Sequence, residues 1–194
     1  MNTLSDEYRK VLEETHKSWN DTTKTGWGTT GSGKFYNTIL KLADRYKVEE
    51  LLDYGAGAGN LKKSIENDRP NLTVHEYEPA RPEVSKLPEP CRFVVCNDVF
   101  EHVEPEYLDA FFEDLQRVVA WRGYFTVCMT PAINTLVDGR NAHLIVKPWE
   151  WWVRKVSRYF HIREAYHLNR REPQGQFVVE KFYPLKDYHN AEDR

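Results

Sequence analysis

The sequence predicts an α/β fold, a mostly parallel sheet flanked by helices and closed by an antiparallel hairpin at its C-terminal side. Three observations predict it. Short apolar runs alternate with amphipathic helical stripes, which is the pattern of strand–helix–strand crossovers. A cluster of glycines follows the first apolar run directly, where an open α/β sheet places its ligand crevice. Near the end of the chain two strand-patterned segments are joined by a polar turn.

The elements follow in order. Leu4, Tyr8, Val11, Leu12 and Trp19 recur at helical spacing, with Ser5 and Asp6 as caps. The polar stretch NDTTKTGWGTTGSGK, residues 20–34, cannot hold a regular element and reads as a loop. Phe35, Ile39, Leu42, Ala43 and Tyr46 mark a second helix, and residues 50–54 a short buried strand stopped by Gly55, Gly57 and Gly59. A helix is expected from Asn60 and a strand over 71–77. The proline-rich link PARPEVSKLPEP leads to a strand over 92–96. Leu108, Phe111, Phe112, Leu115, Val118 and Val119 form a helical stripe starting after Pro105. A strand over 124–129, a helix over 149–159 behind Lys147 and Pro148, and strands over 161–168 and 176–182 complete the chain. The expected organisation is an N-terminal helix and flap (1–34), one domain (35–184) and a frayed polar tail (185–194).

Composition narrows the function. The 194 residues are 40% hydrophobic and 29% charged, enough for a folded core and unlike a disordered chain. A net charge of −3 argues against non-specific binding to nucleic acid. The first residues lack a signal peptide's basic start and apolar stretch, and no run approaches the roughly 18 apolar residues of a membrane helix. Cys91, Cys96 and Cys128, an odd set, read as buried reduced thiols rather than a disulfide frame or a zinc site. The expected location is the cytoplasm, the host's if the source is viral.

The chemistry concentrates in Asp53-Tyr54-Gly55-Ala56-Gly57-Ala58-Gly59. Glycines let the backbone turn tightly and approach a small molecule closely. A dinucleotide fingerprint, G-x-G-x-x-G, would need glycine at position 60, which is Asn60. Gly28 to Lys34 nearly spells a phosphate-binding loop, but Phe35 stands where Ser or Thr must hold magnesium, and no strand precedes it.

This glycine turn resembles the first motif of the class I S-adenosylmethionine (SAM)-dependent methyltransferases, Asp/Glu-x-Gly-x-Gly-x-Gly. Glu78, before Pro79, stands where that family has an acid that binds both ribose hydroxyls. VVCNDVFEHVEPEYL resembles the family's fourth motif, and the resemblance places Asn97, Asp98 and Val99 at the methionine and sulfonium end. It implies a Rossmann-like methyltransferase sheet. About a dozen residues separate Pro79 from the next strand, so the family's third strand is expected to be reduced and the adenine pocket open, with Lys86-Leu87-Pro88 beside it. The stretch from Tyr54 through Trp152 is similar to compact stand-alone methyltransferases of bacterial and phage genomes. By the resemblance, Asp53, Tyr54, Gly55, Gly57, Gly59 and Glu78 bind the cofactor, and Lys34 pairs with its carboxylate or is simply a solvated loop lysine.

Asp98, Glu101 and His102 have i, i+3, i+4 spacing, which one turn of helix would bring to one face as a ligand set for a divalent cation. Two branches of the family, the ubiquinone-pathway O-methyltransferases and the small-RNA 2′-O-methyltransferases, carry Glu-x-x-Glu-His magnesium sites. His143 is then a fourth ligand or a general base, so Mg2+ enters as a possible cofactor with Asp98, Glu101, His102 and His143 as its ligands. In the plainer reading Glu101 and His102 only cap and hydrogen-bond within the crevice. His102, His143 and Glu101 are the candidate catalytic residues. The Trp149, Trp151, Trp152 cluster either walls an acceptor pocket or forms helix core, and Arg154, Lys155 and Arg158 either meet an anionic acceptor or make a charged outer face. His75, His161 and His167 read as structural.

The expected function is methyl transfer from SAM to an O- or N-nucleophile of a small molecule or sugar. The alternatives are a metal-assisted RNA 2′-O-methyltransferase, disfavoured by the acidic net charge, and a SAM-binding module without catalysis.

Overall fold

The computed structural model describes residues 2–22, 33–169 and 172–183. Trp27 and most of the near-phosphate-loop stretch lie outside the described residues, as do Arg170 and Arg171 of the hairpin turn and the expected polar tail.

Six strands form one sheet among the described residues: β1 (Glu50–Tyr54), β2 (Thr73–Tyr77), β3 (Cys91–Asn97), β4 (Val119–Cys128), β5 (Phe160–Leu168) and β6 (Gln174–Lys181), in the order β2-β1-β3-β4-β6-β5. The first four run parallel, whereas β6 is antiparallel to both β4 and β5. The helices are α1 (Asp6–Thr22), α2 (Tyr36–Tyr46), α3 (Asn60–Asp68), α4 (Leu108–Val118) and α5 (Trp149–Ser157). This is the Rossmann-like, mostly parallel sheet with C-terminal antiparallel strands that the resemblance implies. On the β2 side no further strand exists among the described residues: β2 is the sheet edge, and a single 3-10 turn, Pro82–Val84, separates it from β3.

Alternation along the strands divides two cores. Leu51, Phe93, Val95 and Tyr124 face α2 and α3 and pack with Ile39, Leu42, Leu61 and Ile65. Leu52, Val94, Cys96 and Phe125 face α4 and α5, against Phe111, Phe112, Leu115 and Trp152. The sheet is therefore covered on both sides, as a parallel sheet requires. Strand β4 starts five residues before the expected Tyr124, because Val119 continues directly from the end of α4 into pairing opposite Cys91. Tyr54 at the end of β1 is tied to α4: its hydroxyl donates to Asp114 Oδ2 at 2.6 Å in the interior, and Arg117 pairs with the other carboxylate oxygen.

Helix α1 packs against the rest of the fold. Leu4 and Tyr8 pack with Leu136 and Ala142 of the segment after β4. Ser5 donates through both its amide and hydroxyl to Glu104, and Thr15 Oγ1 accepts from Val137 N. Among the described residues no helix is long and apolar enough to cross a membrane.

Phe100 sits at the centre of the larger core, with ring contacts to Phe111, Phe112, Phe125 and Trp152. Phe100→Ala is expected to lower unfolding free energy by about 3–5 kcal/mol, read as a lower urea midpoint at unchanged m-value.

Candidate active site

A cavity of about 780 Å³ opens at the carboxyl ends of β1 and β3, within the range of small-molecule and cofactor sites. The glycine turn, the ends of β2 and β3, α1 and the segment 130–143 wall it.

The turn is shaped by contacts that a side chain would block. Gly55 has φ +85°, and a Cβ there would lie 2.5 Å from Val99 Cγ2. Gly59 has φ +74°, and its Cβ would meet Glu76 Oε1 at 2.5 Å. The left-handed backbone and the close approach both demand glycine. The amides of Gly55 and Ala56 donate to Tyr77 O at 2.8 and 3.0 Å, so the turn is latched to the end of β2. Glu78 completes the latch: its buried carboxylate accepts from Gly57 N at 3.0 Å and from Ala80 N at 3.1 Å. Burial pushes the Glu78 carboxyl above its ordinary range, and the two amide bonds oppose that rise. Arg81 bridges Gly57 O and Glu76 from outside, at 3.0 Å each.

Asp53, Tyr54, Gly55 and Glu78 all line the cavity, while Gly57 and Gly59 stand behind that wall. Burial pushes the Asp53 carboxyl up to about 8; Glu76 and Glu78 add to the rise and Arg81 opposes it.

Asn97, Asp98 and Val99, at the end of β3, line the cavity as well. Among the described residues neither Asn97 Oδ1 nor Nδ2 has a hydrogen-bond partner, though both atoms are buried. Orphaned amide atoms on a cavity wall are groups awaiting a ligand. Asp98 adopts φ +53° and is held through its side chain: Thr126 Oγ1 donates to its Oδ1 at 2.7 Å, and Gln174 Nε2 donates to the same oxygen. Lys34 Nζ donates to Gln174 Oε1 at 2.7 Å, completing a chain from the start of α2 across β6 to the end of β3. Burial raises the Asp98 carboxyl, and the hydrogen bonds and the Lys34 charge lower it. Gln174 and Thr126 escape the sequence reading. Gln174 lies in what reads as a polar turn, and its approach to Asp98 depends on the pairing of β6 with β4, for which no local signal exists.

The expected single helical face for Asp98, Glu101 and His102 does not form. The chain makes a 3-10 turn, Phe100–His102, and Asp98 stands before it in left-handed conformation, so the three do not share the face of one α-helical turn. Glu101 turns inward, fully buried, and its Oε1 accepts from Cys128 N at 2.7 Å. Burial holds its carboxyl well above the usual range, with Asp98 adding and His143 opposing. His102 Nδ1 lies 2.8 Å from Ala142 O, and burial lowers its imidazole to about 4. His143 Nδ1 lies 2.5 Å from Thr130 O. The two rings meet nearly edge-on, centroids 4.8 Å apart, and both line the cavity. Since a carbonyl can only accept, each Nδ1 carries the proton and each Nε2 keeps its lone pair.

The tryptophans turn out to be core. Trp152 is wholly buried, and Trp149 stacks between Phe177 and His167 over Gly175; none of the three lines the cavity. Lys155 is no free anion-binding group: it is buried and paired with Asp109. Of the other histidines, His75 meets Glu50 at 3.1 Å and His161 lies edge-on to Phe182.

Asp53, Glu78, Asp98 and Glu101 have folded-state pKa values raised above those of an unfolded chain, so the native state binds more protons. Their contribution is full at low pH and is lost as pH rises through the folded values. For Asp53 that window runs from about 4 to about 8. Unfolding free energy of the ligand-free chain is therefore expected to fall across this window, and Asp53→Asn to flatten the fall, as measured by urea melts at successive pH values.

Residues 30–172 match the family profile described as Methyltransferase domain. Among solved structures, a 1,6-didemethyltoxoflavin-N1-methyltransferase from Burkholderia thailandensis with bound 1,6-didemethyltoxoflavin and S-adenosylhomocysteine superposes with TM-score 0.60. It has 15% identity, over 91% of this chain and 90% of that one. The N-methyltransferase NodS of Bradyrhizobium japonicum, in complex with S-adenosylhomocysteine, gives 0.59 at 14% identity, covering 87% and 99%. The magnesium protoporphyrin IX methyltransferase of Synechocystis, with the same bound product, gives 0.55 at 13%, covering 91% and 97%. No curated protein sequence matches the chain. With the profile covering most of its length and the sheet order it displays, the chain belongs to the methyltransferase domain family, the class I SAM-dependent methyltransferases.

Proposed function

We propose that the chain transfers the methyl group of SAM to an oxygen or nitrogen nucleophile of a small molecule, sugars included. The observation that carries this reading is the make-up of the cavity. It holds the acids Asp53 and Glu78 and the unpartnered Asn97 amide, and it also holds the imidazoles His102 and His143.

The residues present fit the cofactor. Gly55 keeps its part of the wall free of any Cβ, Glu78 would accept from the ribose hydroxyls, Asp53 would pair with the methionine ammonium, and Asn97 would satisfy its orphaned amide on the same end. Lys34, which donates to Gln174 and lines the cavity, would meet the methionine carboxylate. When bound, SAM supplies a methyl group already made electrophilic by the sulfonium. What remains for the protein is alignment of the acceptor, exclusion of water and removal of a proton. His102 and His143 serve the last task, since each ring is fixed through Nδ1 and leaves Nε2 to accept a proton. Glu101 supports them by locking the 3-10 turn to the end of β4.

The neighbouring structures named for N-methylation of small molecules support a small acceptor. The net charge of −3 speaks against RNA. Magnesium has no step in this mechanism. Asp98 Oδ1 is already engaged by Thr126 and Gln174, and the side chain that joins Glu101 and His143 is a thiol, which a hard cation disfavours. A binding module without catalysis is the second reading, favoured by the completeness of the cofactor side alone.

Calorimetry with S-adenosylhomocysteine is expected to give one site per chain, weakened about 100-fold or more by Glu78→Ala, about 3 kcal/mol of binding free energy; unchanged affinity refutes the ribose assignment. In a methyl-label transfer screen over fractionated small molecules, glycans and nucleic acids, label should enter a small-molecule or glycan fraction. His102→Ala with His143→Ala should abolish it while product binding persists. Label in no fraction leaves the binding-module reading standing instead.

A further inference from the structure

Where the sequence suggests only inert thiols, the fold brings Cys128 beside Glu101 and His143. Their ligating atoms all lie within 4.8 Å of one another. Tetrahedral zinc, with bonds of about 2.0–2.3 Å, needs its ligand atoms roughly 3.5 Å apart, so about an ångström of side-chain adjustment closes the set.

Two further observations point to a ligand there. Glu101 is wholly buried, and its Oε2 has no hydrogen-bond partner among the described residues, although Oε1 is fixed by Cys128 N. A buried carboxylate oxygen without a partner is costly unless something positive meets it. His143 is oriented as a metal-binding imidazole is: Nδ1 donates to the Thr130 carbonyl, which fixes the tautomer and presents the Nε2 lone pair. Cys128 and His143 both line the cavity, so a metal held by the three would keep a fourth position open toward it.

From this geometry we infer a transition-metal site at Glu101, Cys128 and His143, of the borderline class that takes one thiolate, one imidazole and one carboxylate, with Zn2+ as its natural occupant. On binding, the Cys128 thiol gives its proton to solvent and ligates as thiolate. The fourth position takes water or an acceptor oxygen; with the metal bound His143 Nε2 is occupied as a ligand, and His102, outside the set, is the base left to accept a proton. The site differs in composition from the Asp98, Glu101, His102, His143 grouping, because neither Asp98, whose Oδ1 is held by Thr126 and Gln174, nor His102 joins the cluster. It stands on these three side chains and not on the methyl-transfer reading.

The test uses the full chain without an affinity tag, stripped with a chelator and titrated with Zn2+ and separately with Co2+. One Zn2+ per chain is expected, weakened about 100-fold in Cys128→Ser and in His143→Gln and unaffected by Cys91→Ser. Circular dichroism and S-adenosylhomocysteine calorimetry on the same samples check that each variant is folded and report the cofactor site separately. Co2+ is expected to give a thiolate-to-cobalt charge-transfer band and a tetrahedral visible spectrum. That spectrum on the unmutated chain decides the matter even if a variant fails to fold. Absence of one-to-one binding, a cobalt spectrum without the thiolate band, or full affinity in both ligand variants overturns the site.

Discussion

The Glu78 carboxylate, withdrawn from water at the end of β2, is the constraint on which the rest of the site depends. Its two amide bonds, from Gly57 and Ala80, fix the glycine turn and the start of the following link in one stroke. A buried carboxylate is tolerable because those amides replace its lost hydration. Tyr77 O takes the Gly55 and Ala56 amides, so with the Gly57–Glu78 bond the crossover from β1 to α3 is pinned to the end of β2 at three points. With the turn drawn in, Gly55 comes so close to Val99 that the β1 and β3 ends share one wall.

Acid accumulates around that wall. Asp53, Glu78 and Asp98 line the cavity and Glu101 is fully buried, each carboxyl lifted by desolvation. Lys34 and Arg81 offset part of this, through Gln174 and Glu76 respectively. The remaining imbalance suits a ligand that brings positive charge, as an ammonium and a sulfonium do. The polar chain Lys34–Gln174–Asp98–Thr126 also joins α2, β6, β3 and β4, so the charge balance of the cavity and the integrity of the sheet are maintained by the same hydrogen bonds.

The roof is built from distant parts of the chain. Helix α1 and the segment 130–143 pack on each other through Leu4, Tyr8, Leu136 and Ala142. Tyr8 donates to His102 O, and Ala142 O takes His102 Nδ1, so the imidazole is held between the two halves of that roof. Below, the Phe100 cluster gives the 3-10 turn a rigid base.

The strands, the helical stripes and the glycine turn were legible in the sequence because each is a local pattern. Period-2 and period-3.6 burial, and glycine at left-handed positions, depend on a few neighbouring residues. Glu78 was legible too, since its distance from the turn is set by one crossover. Which chemistry gathers around Glu101 was not. The i, i+4 spacing pointed to a helix, but the left-handed Asp98 and the 3-10 turn gave the three residues no common helical face. Gln174 reached Asp98 only through β6 pairing with β4, and Cys128 reached Glu101 and His143 only through β4 pairing with β3 and the return of segment 130–143 over the sheet. The tryptophan cluster was settled the same way, by Trp149 finding Phe177 and Gly175 on β6. Sequence by itself determined the local conformations and the glycine-turn side of the crevice; tertiary structure alone decided the surroundings of Glu101, because their members are brought together by long-range strand pairing that leaves no periodic trace along the chain.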